Sequence, residues 1–568
     1  MIPDVLAEHA IRIPDRTAYV FLNEDGEETV SITYRELYAR ALAVAGELSR
    51  RCAPGDRAML AFPQNLDFIV GFFGCLYAQV VAVPVNPPRR SRVQDATRGI
   101  AEDCEAAAVL TSAAMVEKLR SALDYPGGPS HWLAVDEMVE DETGFEPPVS
   151  SAETLAFLQY TSGSTAAPKG VMVSHGNLAA NEEMIRYAFG HDEKSTVVGW
   201  APFFHDQGLI GNVLQPLYVG AKSILMSPAA FIRRPLLWLR TISRYRAHTS
   251  GGPNFAFDAC VEHAAKSGIP ELDLSCWKVA FNGAEPIRPE TLRRFAETFA
   301  PSGFDEGTLY PCYGLAEATL IVTGSRKGRG PRIAEVDAGE LGRRRFAEVP
   351  GGRPLVGSGL VLPGEEVRIV DPDTRRSCPD DRIGEIWVSG PHVAQGYWKR
   401  PDTTAETLRA ICDGDSGRTY LRTGDLGVLA DSELFVVGRL KDLLIIRGRN
   451  HYPQDIEQTV QEAHPALRPG CGAAFTVAGE NGEKLVVVQE IRREHRMEAD
   501  PLDVSGAIRA AVLAEHELAI GELVLTMPGR LPKTSSGKIM RAAARKRYLD
   551  GEFEPWTRPH REEGAVQP

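Results

Sequence analysis

The chain has 568 residues, a formal net charge of −13, 43% hydrophobic and 24% charged residues, the composition of an ordinary globular protein too long for one core. The acidic balance argues against a general nucleic-acid binder, whose surface would be basic. Nine cysteines without a C-x-x-C pair and thirteen histidines without H-E-x-x-H point to neither a disulfide framework nor a zinc site, and predict reduced thiols in a cytoplasmic protein.

The opening stretch MIPDVLAEHAIRIPDR has no apolar signal core, and no uncharged run reaches the length of a membrane span. ITYRELYARALAVAGELSR has apolar residues at helical spacing, RAMLAFP reads as a strand, NLDFIVGFFGCLYAQ as a helix, and VVAVPVNP and AAAVLTS as strands. The alternation recurs at STVVGWAPF, AKSILMSP and KVAFNGAEP, and predicts helices packed on largely parallel sheet. After about Pro363 the pattern changes to short strands split by turn residues, EEVRIVDP, IGEIWVSG, RTGDLGVLA and ELFVVGRL, read as antiparallel or barrel-like structure. From GRLKDLLIIRGRN onward, a helix (YPQDIEQTVQEAH), two strands (CGAAFTVAG, EKLVVVQEI), a helix from about Asp503 to His516 and a last helix after Lys538 make a small α+β unit. Charge marks the same division: residues 438–568 hold 19 basic and 19 acidic side chains, so residues 1–437 carry the whole acidic excess.

The chemistry begins with YTSGSTAAPKGVMVSHGNL, residues 160–178. It is not the usual phosphate loop, G-x-x-x-x-G-K-[ST], because its glycine follows the lysine. Backbone N–H groups around Gly163 can form an anion nest. Thr161, Ser162, Ser164 and Thr165 add hydroxyl donors and Lys169 a point charge, a set suited to the β- and γ-phosphates of ATP. NGAEPI, residues 282–287, is a small-residue turn against which a flat base can lie. YPCYGLAEAT adds Tyr313 as an aromatic face and Glu317 as a carboxylate able to hold Mg²⁺. YLRTGDLG places Asp425 in a tight turn, where it can accept hydrogen bonds from both ribose hydroxyls. LPKTSSGKIMRAAARKR sets Lys538 before a basic helix, free to offer charge to a carboxylate and an α-phosphate together. Alone, each of these later signals reads equally well as a plain turn, core or surface residue.

Their joint order does not. TSGSTxxPKG, NGAEP, YGLAE, TGD, GRLKD and SGK, from about Tyr34 to Leu549, resemble the adenylate-forming superfamily of acyl-CoA synthetases, peptide-synthetase adenylation domains and luciferases. PFFHDQGLIG, SGGPNFAFD, RGRNHYPQDIE and LPKTSSGKIMR resemble fatty acyl-AMP ligases in particular, as does the long, charged interval between Glu317 and Gly357. The resemblance implies an α/β enzyme. Residues 1–437 would form a large domain of two stacked α/β subdomains and a small barrel-like part, and residues 438–568 a mobile α+β lid.

It further implies ATP-dependent conversion of a medium- or long-chain fatty acid to acyl-AMP, with Mg²⁺, then acyl transfer to the phosphopantetheine thiol of a holo acyl carrier protein in polyketide or lipopeptide-type assembly. Thr161, Ser162, Gly163, Ser164, Thr165 and Lys169 would hold the leaving phosphates. Ala284, Glu285, Tyr313 and Gly314 would flank adenine, Glu317 would bind Mg²⁺, and Asp425 and Arg439 would hold ribose. Lys538 would act at the reacting centre and Lys441 as the hinge. His205 would stand between nucleotide and acid, with a core histidine as the competing reading. LLWLRTISRYRAH and PNFAFDACV would serve equally as the wall of an acyl tunnel or as plain core. The expected protein is a monomer or weak homodimer with no nucleic-acid partner and no membrane span. The rival readings are a fatty acyl-CoA synthetase, a peptide-synthetase adenylation unit and a non-catalytic nucleotide- or lipid-binding protein.

Overall fold

The computed structural model describes residues 1–87, 91–138, 144–161, 168–415, 417–446, 449–479, 482–534 and 537–557. Two large sheets organise the first part of the chain. The smaller has seven strands. Val81–Pro84, Arg57–Leu60, Ala108–Thr111 and His131–Ala134 run parallel, and Leu155–Thr161 joins them and turns back through the antiparallel Lys169–Ser174 and Gly396–Tyr397. The parallel strands Arg57–Leu60, Val81–Pro84 and Ala108–Thr111 are short, almost wholly buried runs, as expected where both sheet faces are covered.

The larger sheet has thirteen strands. Its parallel half runs through Thr17–Leu22, Ser223–Met226, Val197–Gly199, Thr249–Gly252, Val279–Asn282 and Leu309–Gly314. At Ile321–Gly324 the direction reverses, and the antiparallel strands Leu360–Val361, Glu433–Arg439, Leu421–Ala430, Gly384–Ser389 and Glu366–Val370 follow. The barrel-like part read from sequence is thus hydrogen-bonded onto the second sheet as its continuation.

Helices pack between and around the sheets. Tyr34–Ser49 starts at Thr33, whose hydroxyl accepts from the Glu36 N–H while the Glu36 carboxylate accepts from the Thr33 N–H, a capping box legible in the sequence. Leu66–Tyr77 buries every residue but Asp67, because it enters one hydrophobic core that takes side chains from both sheets, Phe157 of the smaller with Leu225 and Val279 of the larger.

The strand Glu433–Arg439 pairs along its length, with Arg439 opposite Asp425. The division read at 437/438 therefore falls inside a strand, and the chain leaves the sheet at the turn Leu440–Asp442. Beyond it lies a smaller domain with its own core. Leu467–Gly479, Gly482–Ile491 and Glu522–Thr526 form a three-stranded sheet carrying the helices Pro453–Glu462, Pro501–His516 and Arg541–Leu549.

The charged interval after Glu317 is folded. Ile333–Val336 pairs with Arg353–Val356, and Ala334, Val336, Leu341 and Phe346 pack against Leu426, Val428, Phe435 and Tyr452. It also reaches the small domain, where Arg353 pairs with Asp455 and the Asn450 amide donates to the Gly342 carbonyl at 3.0 Å.

Candidate active site

The hairpin of Leu155–Thr161 and Lys169–Ser174 sets Thr161 opposite Lys169 and Tyr160 opposite Gly170. Ser162, Gly163, Ser164 and Thr165 lie outside the described residues. A Cβ on Gly170 would come within 3.0 Å of the Tyr160 ring, which gives the glycine after the lysine a packing reason. The Lys169 ammonium stands 5.2 Å from the centroid of the Tyr397 ring. The Tyr397 hydroxyl in turn donates to the Glu317 carboxylate at 2.8 Å. Lys169 and Glu317, far apart in sequence, thus share one aromatic ring between them.

Glu317 sits on a tight turn, Ala316–Ala318, tied down on both sides. Its carbonyl accepts from the Ala394 N–H at 2.9 Å. Two residues on, Thr319 has φ 65° and its hydroxyl donates to the His392 carbonyl at 2.6 Å. A left-handed threonine is strained, a cost met where surrounding bonds over-determine the backbone. Just before the turn, any side chain on Gly314 would collide with the Leu320 carbonyl.

Ala284 follows the buried strand Val279–Asn282 and has φ 68°. Beside it, Glu285 accepts from the Phe255 N–H at 2.6 Å, and burial raises its pKa against the pull of that bond, Arg288 and Lys538. The Tyr313 hydroxyl donates to Asp425 at 2.8 Å, and Arg439 lies 3.2 Å from the other Asp425 oxygen. Asp425 is not in a tight turn, as its TGD context suggested. It lies inside the ten-residue strand Leu421–Ala430, where Gly424 at φ 71° and register shifts against both neighbouring strands mark a bulge that re-aims the side chain.

Lys538 reaches this group from the small domain. Crowding by surrounding protein lowers its pKa, as does the Arg439 charge, while Asp206, Glu285 and Asp425 act the other way; the residue is nonetheless exposed, which weakens the first effect. His205 stands beside the same charges. Burial lowers its pKa first, Lys538 adds to that and Asp206 opposes it, and its ring packs 4.7 Å from that of Phe204. Lys441, in the turn Leu440–Asp442, is exposed, and its pKa is likewise lowered by nearby protein and by Arg439; it also feels Asp425 and Lys169. Ring contact, hydrogen bonds and charge interactions link Lys169, Glu317, Tyr313, Asp425, Arg439, Lys441, Glu285, His205 and Lys538 into one group, with Lys169, Arg439, Lys441 and Lys538 supplying its positive charge.

The two apolar stretches have different fates. Trp238, Leu239 and Ile242 are fully buried core. Phe255 is 38% exposed, next to the Glu285 contact and 6.1 Å from Trp200, which stacks on Phe231 at 4.0 Å. Asn254 is buried and bonded to Thr291 and the Arg288 N–H, so no free carboxylate stands at that position for an amino group. A cavity of about 360 Å³ lined by Arg326, Arg329, Arg332 and Glu433 lies at the base of the 325–353 segment, and none of its lining residues is among the candidate site residues.

Sequence reasoning missed Tyr397, whose role depends on two residues that only the fold brings to it, and the π-helix Gln207–Leu214 directly after His205. Π-helical turns are rare and frequent at functional sites; the two glycines of QGLIG were the visible hint, and a Cβ at Gly208 would strike the Pro202 carbonyl. Among the described residues no cluster of three or more His, Cys, Asp or Glu could hold a metal ion, and no helix is long and apolar enough to cross a membrane.

The family described as AMP-binding enzyme matches residues 6–398, and that described as Disco-interacting protein 2-like, AMP domain matches residues 441–556. The chain is 44% identical over 554 residues to medium-chain-fatty-acid–[acyl-carrier-protein] ligase JamA of Moorena producens, spanning 95% of this chain and 94% of that one. It is 38% identical to long-chain-fatty-acid–AMP ligase FadD32 of Mycolicibacterium smegmatis, over 94% and 92% of the two chains. Among solved structures it is similar to a fatty acyl-adenylate ligase from L. pneumophila in complex with acyl adenylate and pyrophosphate, at 39% identity and a TM-score of 0.76 over 98% and 96% of the chains.

Proposed function

The chain belongs to the AMP-binding enzyme family, and on that premise we propose that it joins a medium- or long-chain fatty acid to AMP and then passes the acyl group to the pantetheine thiol of an acyl carrier protein. In the first step a carboxylate oxygen attacks the α-phosphorus of ATP, the bond to the β-phosphate breaks, and pyrophosphate leaves. In the second the thiol sulfur attacks the acyl carbon, the bond to AMP breaks, and the thiol proton is released with AMP. No general base is needed in the first step, because a carboxylate is already ionised at pH 7. Catalysis is positioning plus electrostatics.

Lys169, Thr161 and the loop residues Ser162, Gly163, Ser164 and Thr165 hold the departing phosphates. Ala284, Glu285, Tyr313 and Gly314 border adenine, and Asp425, held by Tyr313 and Arg439, takes the ribose. His205 lies between nucleotide and acid. Lys538 offsets charge where the carboxylate meets the α-phosphate. Glu317 would hold Mg²⁺, which supplies charge neutralisation between the phosphates. A single protein carboxylate fits that ion, which otherwise takes substrate phosphates and water.

The same lysine cannot occupy the cleft while a thiol enters it. We place the rotation between steps at Lys441, in the turn where the chain leaves the large domain's sheet. The 325–353 segment is the element that limits the lid's travel and so sets the acceptor; its Arg353–Asp455 and Gly342–Asn450 contacts with the small domain support that reading.

The observation that carries the proposal is that one small-domain lysine, Lys538, stands within electrostatic reach of Asp206, Glu285, Asp425 and Arg439 of the large domain. It is tested by pyrophosphate release from ATP across a series of saturated fatty acids. Release that depends on the acid, with acyl-AMP in equal amount, is expected. No acid-dependent release with any chain length would refute the reading.

A further inference from the structure

Lys538 lies on a segment held at several points. The Leu531 N–H donates to Glu490 at 2.9 Å, the Lys533 ammonium donates to the Gly470 carbonyl at 2.9 Å, and Lys533 bridges to Ile539. The Thr534 N–H donates to the Lys538 carbonyl at 2.8 Å, and the Met540 N–H to the Pro532 carbonyl at 3.0 Å. These bonds fix the hairpin on the body of the small domain. None reaches the turn Leu440–Asp442, where the chain crosses between domains.

Arg541 does. It opens the helix Arg541–Leu549, three residues after Lys538. Its Nε and Nη2 donate to the two oxygens of Glu457 at 2.7 Å each, and its Nη1 donates to Asp442 at 2.9 Å. All three side chains are mostly withdrawn from solvent, at 20%, 19% and 13% exposure for Arg541, Asp442 and Glu457. Glu457 is fixed in turn by the Ala474 N–H at 3.0 Å. A planar guanidinium committed to three acceptor oxygens has its orientation set, which a lysine's single ammonium would not achieve. The acceptors stand at two places that matter: Asp442 next to Lys441, and Glu457 on the first helix of the small domain.

We propose that Arg541 is a positioning residue for the first half-reaction, the clasp that joins the hinge turn to the hairpin carrying Lys538, so that rotation at Lys441 brings Lys538 to the reacting atoms at one fixed distance. The inference rests on the reading of Lys538 and Lys441 given above. A backbone hinge delivers a side chain to a precise place only if everything between hinge and side chain moves as one body. Without the clasp, the angle set at Lys441 no longer determines where Lys538 stands. The second half-reaction is spared, because it proceeds with Lys538 turned away.

Two variants test this. Arg541→Lys keeps the charge and loses the fork. The triple variant Asp442→Asn, Glu457→Gln, Arg541→Met removes the clasp without leaving a half-buried carboxylate unpaired, which alone would endanger folding. Acid-dependent pyrophosphate release reads the first step. Transfer from supplied acyl-AMP to a holo carrier protein reads the second. Both variants should lose the first step by about 10–10²-fold, the scale for a misplacement near 1 Å, and keep the second within about threefold. In the Lys538→Ala background, Arg541→Lys should add no further loss, since its effect passes through Lys538. A first step within twofold of wild type in the folded triple variant would overturn the clasp. So would equal losses in both steps, or full additivity with Lys538→Ala. Wild-type protein that released no pyrophosphate would instead remove the functional reading on which the clasp depends.

Discussion

At the scale of single residues the proposed chemistry turns on charge. In the proposed mechanism Lys538 brings a positive group to the reacting centre without serving as core. Lys538→Ala should therefore slow acyl-AMP formation by about 10²–10³-fold, the scale for losing one preorganised donor, with no change in thermal midpoint; pyrophosphate release near the wild-type rate would show that the lysine stands elsewhere during chemistry. Because crowding lowers its pKa, its charge is lost at lower pH than that of an ordinary lysine. The alkaline limb of the first step should fall below the usual lysine range, and the residual activity of Lys538→Ala should lack that limb. Stability has its own pH signature. Burial holds His191 at about 3 and His175 at about 4. A histidine depressed in the fold contributes stability that is complete above its unfolded value near 6.5 and is lost as pH falls toward the folded value. Between pH 7.5 and 5 the loss should be roughly 2 kcal/mol for His191, read by urea denaturation at the two pH values. His191→Gln should shrink the difference, and an unchanged difference would mean that its imidazole is not held neutral.

At the scale of elements, what could be read early was what local pattern dictates. The helix Tyr34–Ser49 shows in its apolar residues at helical spacing, and short, mostly apolar runs such as Arg57–Leu60 and Ala108–Thr111 read as buried strands. The segment RTGDLGVLA reads as a strand, but its TGD puts Asp425 in a tight turn because Gly424 looks like a turn glycine when it marks a bulge, a distinction made by the neighbouring strands and not by the residues themselves. Tyr397 carried no local signal, since Lys169 and Glu317 reach it only through the fold. The proposed hinge at Lys441 is the element whose behaviour is most open to test. Lys441→Pro fixes φ near −65° in the turn Leu440–Asp442. It should impair one half-reaction far more than the other, measured as pyrophosphate release and as transfer from supplied acyl-AMP. Equal losses in both would move the hinge elsewhere.

At the scale of the whole molecule, the question is how two domains and one charged segment choose an acceptor. Coenzyme A and a holo carrier protein present the same pantetheine thiol, so the choice is made away from the reacting atom. The 325–353 segment supplies Ala334, Val336, Leu341 and Phe346 to a shared core, so cutting it out would expose that core; its contact with the lid is better broken at one ion pair. Arg353→Met with Asp455→Asn removes the pair without leaving a buried carboxylate alone. This double variant should keep acyl-AMP formation and gain acyl-CoA production, and no gain in a folded protein would clear the segment of the role. The central claim is tested most directly with the unmodified protein, given ATP, its preferred fatty acid, and coenzyme A and a holo carrier protein together, with both thioesters quantified by mass spectrometry. The account predicts acylated carrier protein with acyl-CoA near zero. Acyl-CoA formed at a comparable rate would contradict it and establish a fatty acyl-CoA synthetase.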